Sequence, residues 1–369
     1  MHSSRRGPGP RIALVSGFWG QNIGNAFFNI GGRKILQTAF PDRRIEFIQD
    51  QPGYRTFNNQ RKGNPKKDIG LLRYLDIDYI VLQGPMLTVN FRYLWEDVLR
   101  DLTSRNTRII LLSAALFRYT EEEIRINREF LSDYPPAIVV TRDSVTYEAI
   151  RDCSDRVYDG IDSAFFVPDV YQPFDLHLEP YITVNFDRYP EPNIYVDTDE
   201  SRRPSNVDLQ FQALGQRWGV RSPRFQHALS RSGKWQAYVG ALLDFRRLPK
   251  YVGGYLIVRP EHRSNPHVTW KIYKQPNALA SDEPFTYFTI YSGSQLTLSD
   301  RVHACVVTLA FGKPAMLFSP TPRSALFSRL GLDGITRTPV TLDSEALERE
   351  KQAELEFMRS AVQYVEGKR

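Results

Sequence analysis

Cysteine is the scarcest useful residue in this chain: 369 residues carry two, Cys153 and Cys305. That excludes a disulfide framework beyond a single bridge, and neither sits in a CxxC spacing. Reduced, partly buried thiols in a cytosolic setting are the expectation. Histidine is also scarce, with six in the chain and none in an HExxH pattern, so no metal site is expected. No stretch approaches the roughly 20 apolar residues of a membrane helix. No G-x-S-x-G nucleophile elbow is present. The glycines between Gly17 and Gly32 miss the G-x-G-x-x-G spacing, which argues against a dinucleotide. No RNA- or DNA-binding motif accompanies the basic charge, so nucleic acid is not an expected partner.

What the chain has is aromatic and basic. It holds 22 Phe and 19 Tyr, too many for a disordered chain. The formal net charge is +6 and the pI about 9.2, which serves either solubility or an anionic ligand such as a phosphate, a carboxylate or an acidic glycan. The first ten residues read as a flexible basic terminus. The apolar run Ile12 to Trp19 leads into a Gly/Asn loop rather than a cleavage site, so a first β-strand is the better reading than a signal peptide.

From residue 11 the chain alternates strand, turn and helix. Short apolar runs at 11–15, 44–48, 79–82, 108–113 and 137–140 alternate with helical patterns at 26–40, 94–103, 121–131 and 144–151. This argues for a mostly parallel sheet covered on both faces. The proline-rich stretch 167–180 reads as a linker. A second series follows, with strands at 181–186, 255–258, 296–298 and 315–318, and helices at 234–243, 285–292 and 301–311. Residues 187–204 read as a polar loop. The division expected is an N-terminal α/β lobe at 11–176, a C-terminal α/β lobe at 177–342, and a helix at 343–369 that packs back on the first lobe or is solvated. Ligands of such lobes sit at the carboxyl ends of the strands.

The most informative stretch is Ser299-Asp300-Arg301-Val302-His303, which ends a strand and opens an apolar helix stopping at Gly312-Lys313-Pro314. Backbone N–H groups at that helix start attract anions, and Arg301 adds a forked donor. Alternatively, Arg301 pairs with Asp300 and His303 caps a buried turn. Three further segments stand at strand ends: Arg142-Asp143-Ser144-Val145-Thr146, Asp162-Ser163-Ala164-Phe165 and Asn22-Ile23-Gly24-Asn25.

Taken together, these four segments resemble signatures of the polysaccharide pyruvyl transferase family, in the family's order and over roughly residues 12–332. Val302 stands for the usual Leu, Thr146 for a Ser and Asn25 for an Asp. Gln83-Gly84-Pro85 replaces a Gly-Gly-Gly loop, and Arg323 lies where a Lys is common. The resemblance implies an α/β fold of two doubly wound, Rossmann-like lobes facing a cleft (GT-B-like). It also implies transfer of pyruvate from phosphoenolpyruvate to two hydroxyls of a sugar as a ketal, with release of phosphate. Phosphoenolpyruvate would be the donor substrate and no cofactor is needed. The acceptor would be a sugar or glycan unit, free or lipid-linked. The implied location is cytoplasmic, or peripheral at the inner face of a membrane.

On that reading Arg142 and Arg301 clamp the donor from opposite lobes. His303 is the proton donor and Asp143 or Asp162 the base, although each Asp could instead cap a helix or orient an Arg. Asn22, Asn25, Arg259 and His262 are candidates for holding the acceptor. His267 and Trp270 either line a sugar site or pack in the core. Two alternatives stand beside this: a glycosyltransferase that uses a nucleotide sugar, with Glu261 as a weak ribose ligand, and a non-catalytic glycan- or phosphate-binding member.

Overall fold

The computed structural model describes residues 11–17, 19–41, 43–50, 69–187, 189–196, 208–263, 274–318 and 321–368. Residues 1–10, His267 and Trp270 lie outside these.

The first sheet is built from short apolar strands: β1 (Arg11–Ser16), β2 (Arg44–Gln49), β3 (Tyr79–Gln83), β4 (Arg108–Ala114), β5 (Ile138–Thr141) and β6 (Val157–Asp159). They lie in the order β2-β1-β3-β4-β5-β6 and every pair is parallel. Strands β3 and β5 are buried along their whole length, as a sheet covered on both faces requires. The covering helices are α1 (Gly24–Ala39), α2 (Phe91–Thr103), α3 (Glu121–Asp133) and α4 (Ser144–Ile150). Because the chain reverses its direction of travel between β1 and β3, a crevice opens there.

The second lobe starts with β7 (Tyr181–Asn185) and then departs from the expected loop. Strands β8 (Asn193–Val196), β9 (Leu209–Ala213) and β10 (Gln216–Arg221) form a small antiparallel sheet in the order β8-β10-β9. Its hairpin turns on Leu214 and Gly215, both with positive φ, a geometry that matches the twist of the strands it joins. A helical pair follows, α5 (Arg224–Ser232) and α6 (Lys234–Leu242). The main sheet resumes with β11 (Tyr251–Val252), β12 (Tyr255–Glu261), β13 (Ala278–Ala280), β14 (Thr297–Ser299) and β15 (Ala315–Leu317). The order β11-β12-β7-β14-β15 is parallel except for β11, and β13 pairs with the end of β12. Here the reversal falls between β7 and β14. Helices α7 (Pro284–Gly293), α8 (Val302–Ala310) and the terminal α9 (Ser344–Gly367) complete the chain.

One hydrophobic cluster runs through both lobes, beside a further cluster within each. It joins Phe27 and Phe28 of α1, Phe165 and Phe166, Tyr287 and Tyr291 of α7, Val306 and Val307 of α8, and Met358 of α9. Close approach of backbones makes this possible. A Cβ on Gly31 would fall 1.8 Å from the carbonyl oxygen of Ser163, so α1 rests directly on the 3-10 helix Ser163–Asp169. Helix α9 lies on the first lobe, with Phe357 stacked on Tyr158 at 4.9 Å and the Lys351 ammonium 2.9 Å from Asp169. Both cysteines are free, Cys305 buried and Cys153 half-buried. No helix among the described residues is long and apolar enough to cross a membrane.

Candidate active site

Two helix starts meet where the sheets' reversal points face each other. Helix α1 begins after β1 and helix α8 after β14; neither carries an acidic residue in its first turn. A Cβ on Gly24 would lie 3.2 Å from His303 Nδ1 and crowd the imidazole, so the two N-termini approach closely here. Both positive helix ends therefore point into one space.

Arg301 is the N-cap residue of α8, and its extended backbone turns the side chain toward α1. Its Nη2 donates to Asn22 Oδ1 at 3.0 Å, and its Nε stands 3.1 Å from Asp187 Oδ1. Asn22 in turn donates to Asn25 Oδ1 at 3.1 Å. Asp300 is not Arg301's partner: it accepts the backbone N–H groups of Asp187 and Tyr189 at 3.3 and 2.7 Å. The side chain of Arg301 keeps 17% of its surface exposed and that of His303 14%.

Behind His303 stands a buried ion pair. Arg142 Nη1 donates to Asp162 Oδ2 at 2.9 Å and lies 3.4 Å from His303 Nε2; the same Asp162 oxygen is 3.5 Å from that nitrogen. Asp162 Oδ1 also accepts the N–H of Ala164 at 2.9 Å, capping the 3-10 helix. Burial opposes ionisation of Asp162, yet His303, Arg142 and the Ala164 N–H hold its carboxyl well below the ordinary range. For His303 burial dominates and lowers its pKa. Asp162 works against this, while Arg142 and Arg301 add to it. The imidazole therefore holds its proton less readily than a free histidine does. Phe28 packs against it at 5.1 Å.

The cleft thus brings Arg142, Arg301, His303, Asn22 and Asn25 together, but not in the expected roles. Arg142 is 1% exposed, so its guanidinium does not open onto the cleft and forms no clamp with Arg301. Asp143 is the N-cap of α4. Its oxygens accept Thr146 N–H at 2.7 Å, Thr146 Oγ1 at 3.0 Å and the Tyr119 hydroxyl at 2.9 Å, so it is engaged in capping the helix and holding Tyr119 rather than in serving His303. Arg259 is buried under a forked pair with Glu191 (2.7 and 2.8 Å) and donates to the carbonyls of Pro276 and Pro249. It cannot also hold an acceptor. His262 is buried too. Its Nε2 meets the Tyr291 hydroxyl at 2.6 Å, and its carbonyl accepts Ile23 N–H across the lobes at 2.9 Å.

The crevice of the first sheet is filled. The Gln83 amide donates to Phe28 O and Ser163 Oγ, and accepts from Asn29, which itself accepts from Trp19. Two residues of weight were not picked out from sequence. Asp187 faces Arg301 from the end of β7. Glu354 of α9 accepts Ile161 N–H at 2.9 Å, one residue before Asp162. Glu354 sits on the apolar stripe Leu347, Leu355, Met358, and a charged residue on such a stripe is the signal that could have found it.

Among the described residues no group of His, Cys, Asp and Glu could hold a metal ion. The sequence matches the polysaccharide pyruvyl transferase family over residues 22–322, and the chain belongs to that family of transferases. No curated protein matches it. Among solved structures it is similar to the S. aureus MnaA–UDP co-structure, at 12% identity over 96% of this chain and 91% of that one, with a TM-score of 0.51. The UDP-GlcNAc 2-epimerase from Neisseria meningitidis bound to UDP-GlcNAc follows at 11% identity, covering 97% and 99% of the two chains, with a TM-score of 0.48. The fold is GT-B-like, with two doubly wound lobes.

Proposed function

We propose that the protein transfers pyruvate from phosphoenolpyruvate to a sugar diol, forming a cyclic ketal and releasing phosphate. The observation that carries this reading is the convergence of the starts of α1 and α8, Arg301 and His303 on one space. A small anion with a phosphate and a carboxylate is matched by two dipole ends and a forked cation. The family match supports it. With Gln83 filling the first-lobe crevice and Arg142 sealed behind His303, the donor is held chiefly by Arg301 and the start of α8.

The resting state of His303 follows from its neighbours. Arg301 lowers its proton affinity, and a bound anion cancels that positive charge, so the donor itself brings the proton onto the imidazole. Asp162, on Nε2, then stabilises the imidazolium. The imidazolium protonates the donor's methylene carbon, and the central carbon becomes electrophilic. One sugar hydroxyl adds to that carbon, the bond to the phosphate oxygen breaks, and a second hydroxyl closes the ketal. Of the two hydroxyl protons, one replaces that given by His303 and the other leaves on phosphate. Asn25, donor and acceptor at the cleft, is suited to a sugar hydroxyl.

Pure protein incubated with phosphoenolpyruvate and candidate glycans should release phosphate and give a ketal methyl signal by NMR. Turnover of a nucleotide sugar with no such release would favour a glycosyltransferase and remove this reading.

A further inference from the structure

The helical pair α5–α6 is not accounted for by the cleft chemistry. Its two helices pack chiefly on each other: Gly240 of α6 lies against Leu229 of α5, and α5 buries no residue at all. Around them large apolar side chains face solvent, with Phe225 61%, Trp235 69% and Phe245 82% exposed. The charge of this region is one-sided. Residues 221–250 hold seven Arg and Lys against a single acid, Asp244, an excess of six that equals the net charge of the whole chain. Asp244 is spent on Arg246 at 2.8 Å. Arg224, Arg231 and Arg247 are exposed and pair with no acidic side chain among the described residues.

Exposed aromatics ringed by unpaired cations on a helical pair off the core fit one kind of surface. We propose that α5, α6 and the following residues 243–247 form a docking face for an anionic lipid bilayer. The aromatic rings enter the headgroup boundary and the arginines meet the phosphates. The face also borders the carboxyl ends of two strands of the second sheet. A cavity of about 230 Å³ lies between it and the ends of β7 and β15, lined by Tyr189 stacked on His227 at 5.3 Å, and by Arg231, Phe186 and Phe318. A sugar carried on a lipid phosphate and presented at the membrane surface would reach that cavity without leaving the bilayer. The docking itself does not rest on the pyruvyl-transfer reading and is tested without any turnover.

The full chain is sedimented with vesicles of phosphatidylcholine alone and of equimolar phosphatidylcholine and phosphatidylglycerol. It should pellet with the mixed vesicles only, and high salt should weaken this. Arg224→Glu with Arg247→Glu should lower partitioning by at least about 20-fold, since each cation at an anionic surface contributes roughly fivefold. Phe225→Ser with Trp235→Ser should lower it several-fold at low salt, with an unchanged melting curve. Equal binding to both vesicle types, binding to neither, or charge-reversed protein that pellets like wild type would overturn the proposal. So would a concentration-dependent dimer dissolved by the same substitutions, which would assign the face to a second copy of this chain.

Discussion

Replacing Asp162 by Asn tests the centre of the site, because the change is isosteric and removes one charge. In the native chain the carboxylate answers the Arg142 guanidinium at 2.9 Å, with both side chains almost wholly inside the protein. Arg142 cannot turn to water when its partner is neutralised, and its Nε already lacks a hydrogen-bond acceptor. The new amide can still accept Ala164 N–H through Oδ1, but then its NH2 faces the Arg142 donor. Breaking a buried pair on one side costs about 3–5 kcal/mol. Arg142→Gln together with Asp162→Asn removes the stranded charge, so the double variant should be destabilised by less than the sum of the single changes, with a coupling of about 1–3 kcal/mol. A second effect falls on His303. Asp162 raises its pKa against burial, so the Asn variant should hold the imidazole proton less well. The alkaline limb of the rate of phosphate release should then move to lower pH. The assays are thermal or denaturant unfolding of the four proteins and a pH–rate profile. Additive stability effects together with an unmoved alkaline limb would refute the reasoning.

Three other changes separate roles that the sequence alone leaves mixed. Arg301→Ala should raise the donor KM roughly 10- to 100-fold through loss of a charge-assisted contact, whereas His303→Ala should spare binding and lower turnover about 100-fold or more; steady-state kinetics on phosphate release distinguish the two patterns. Arg259→Ala should cost stability, about 3–5 kcal/mol, because it strands Glu191, and should leave the acceptor KM of the surviving folded protein unchanged. Burial pushes the Glu354 carboxyl up to about 8 from an ordinary 4.5. An acid raised on folding stabilises the protein fully below the ordinary value and loses that stabilisation as pH rises through 8. Melting temperatures measured from pH 5 to pH 9 should therefore fall more for wild type than for Glu354→Gln, which keeps an acceptor for Ile161 N–H.

Much of the frame was legible because period and punctuation agreed. The apolar runs at 79–82 and 137–140 are bounded by turns and are too short for helices, and both are central strands. The helix start at 301–303 was readable for the same reason, a polar cluster before an apolar run. The sheet β8-β10-β9 was not readable. Its strands alternate apolar and polar over only four to six residues, with the buried face supplied by Ile194, Phe211, Trp218 and Val220, and its turn uses Leu214 where Asn or Asp would have given a signal. The roles of Arg142, Asp143 and Arg259 were unreadable for a different reason. A charged residue at a strand end has the same local sequence whether it opens onto the cleft or turns inward to a partner. The partners here are 20 residues away for Arg142 and 68 for Arg259, so only tertiary packing decides.

That distinction bears on how the cleft can work. Of the three arginines placed at the strand ends, two are sealed by buried carboxylates and one is left at the surface of the cleft. On the proposed reading a donor anion meets, among the described residues of the cleft, Arg301 set among fixed dipoles rather than a pair of guanidinium groups. Fixed dipoles stabilise charge without reorganising, and they are effective where water is scarce. The sealed pair also acts on the proposed reaction, since Asp162 raises the proton affinity of His303, and His303 together with Arg142 favours the ionised Asp162. On this reading the proton affinity of the imidazole rises when the anion arrives and falls when phosphate leaves. The acid of the proposed reaction is then charged chiefly while a donor is bound, and the lowered proton affinity that burial gives His303 serves that purpose.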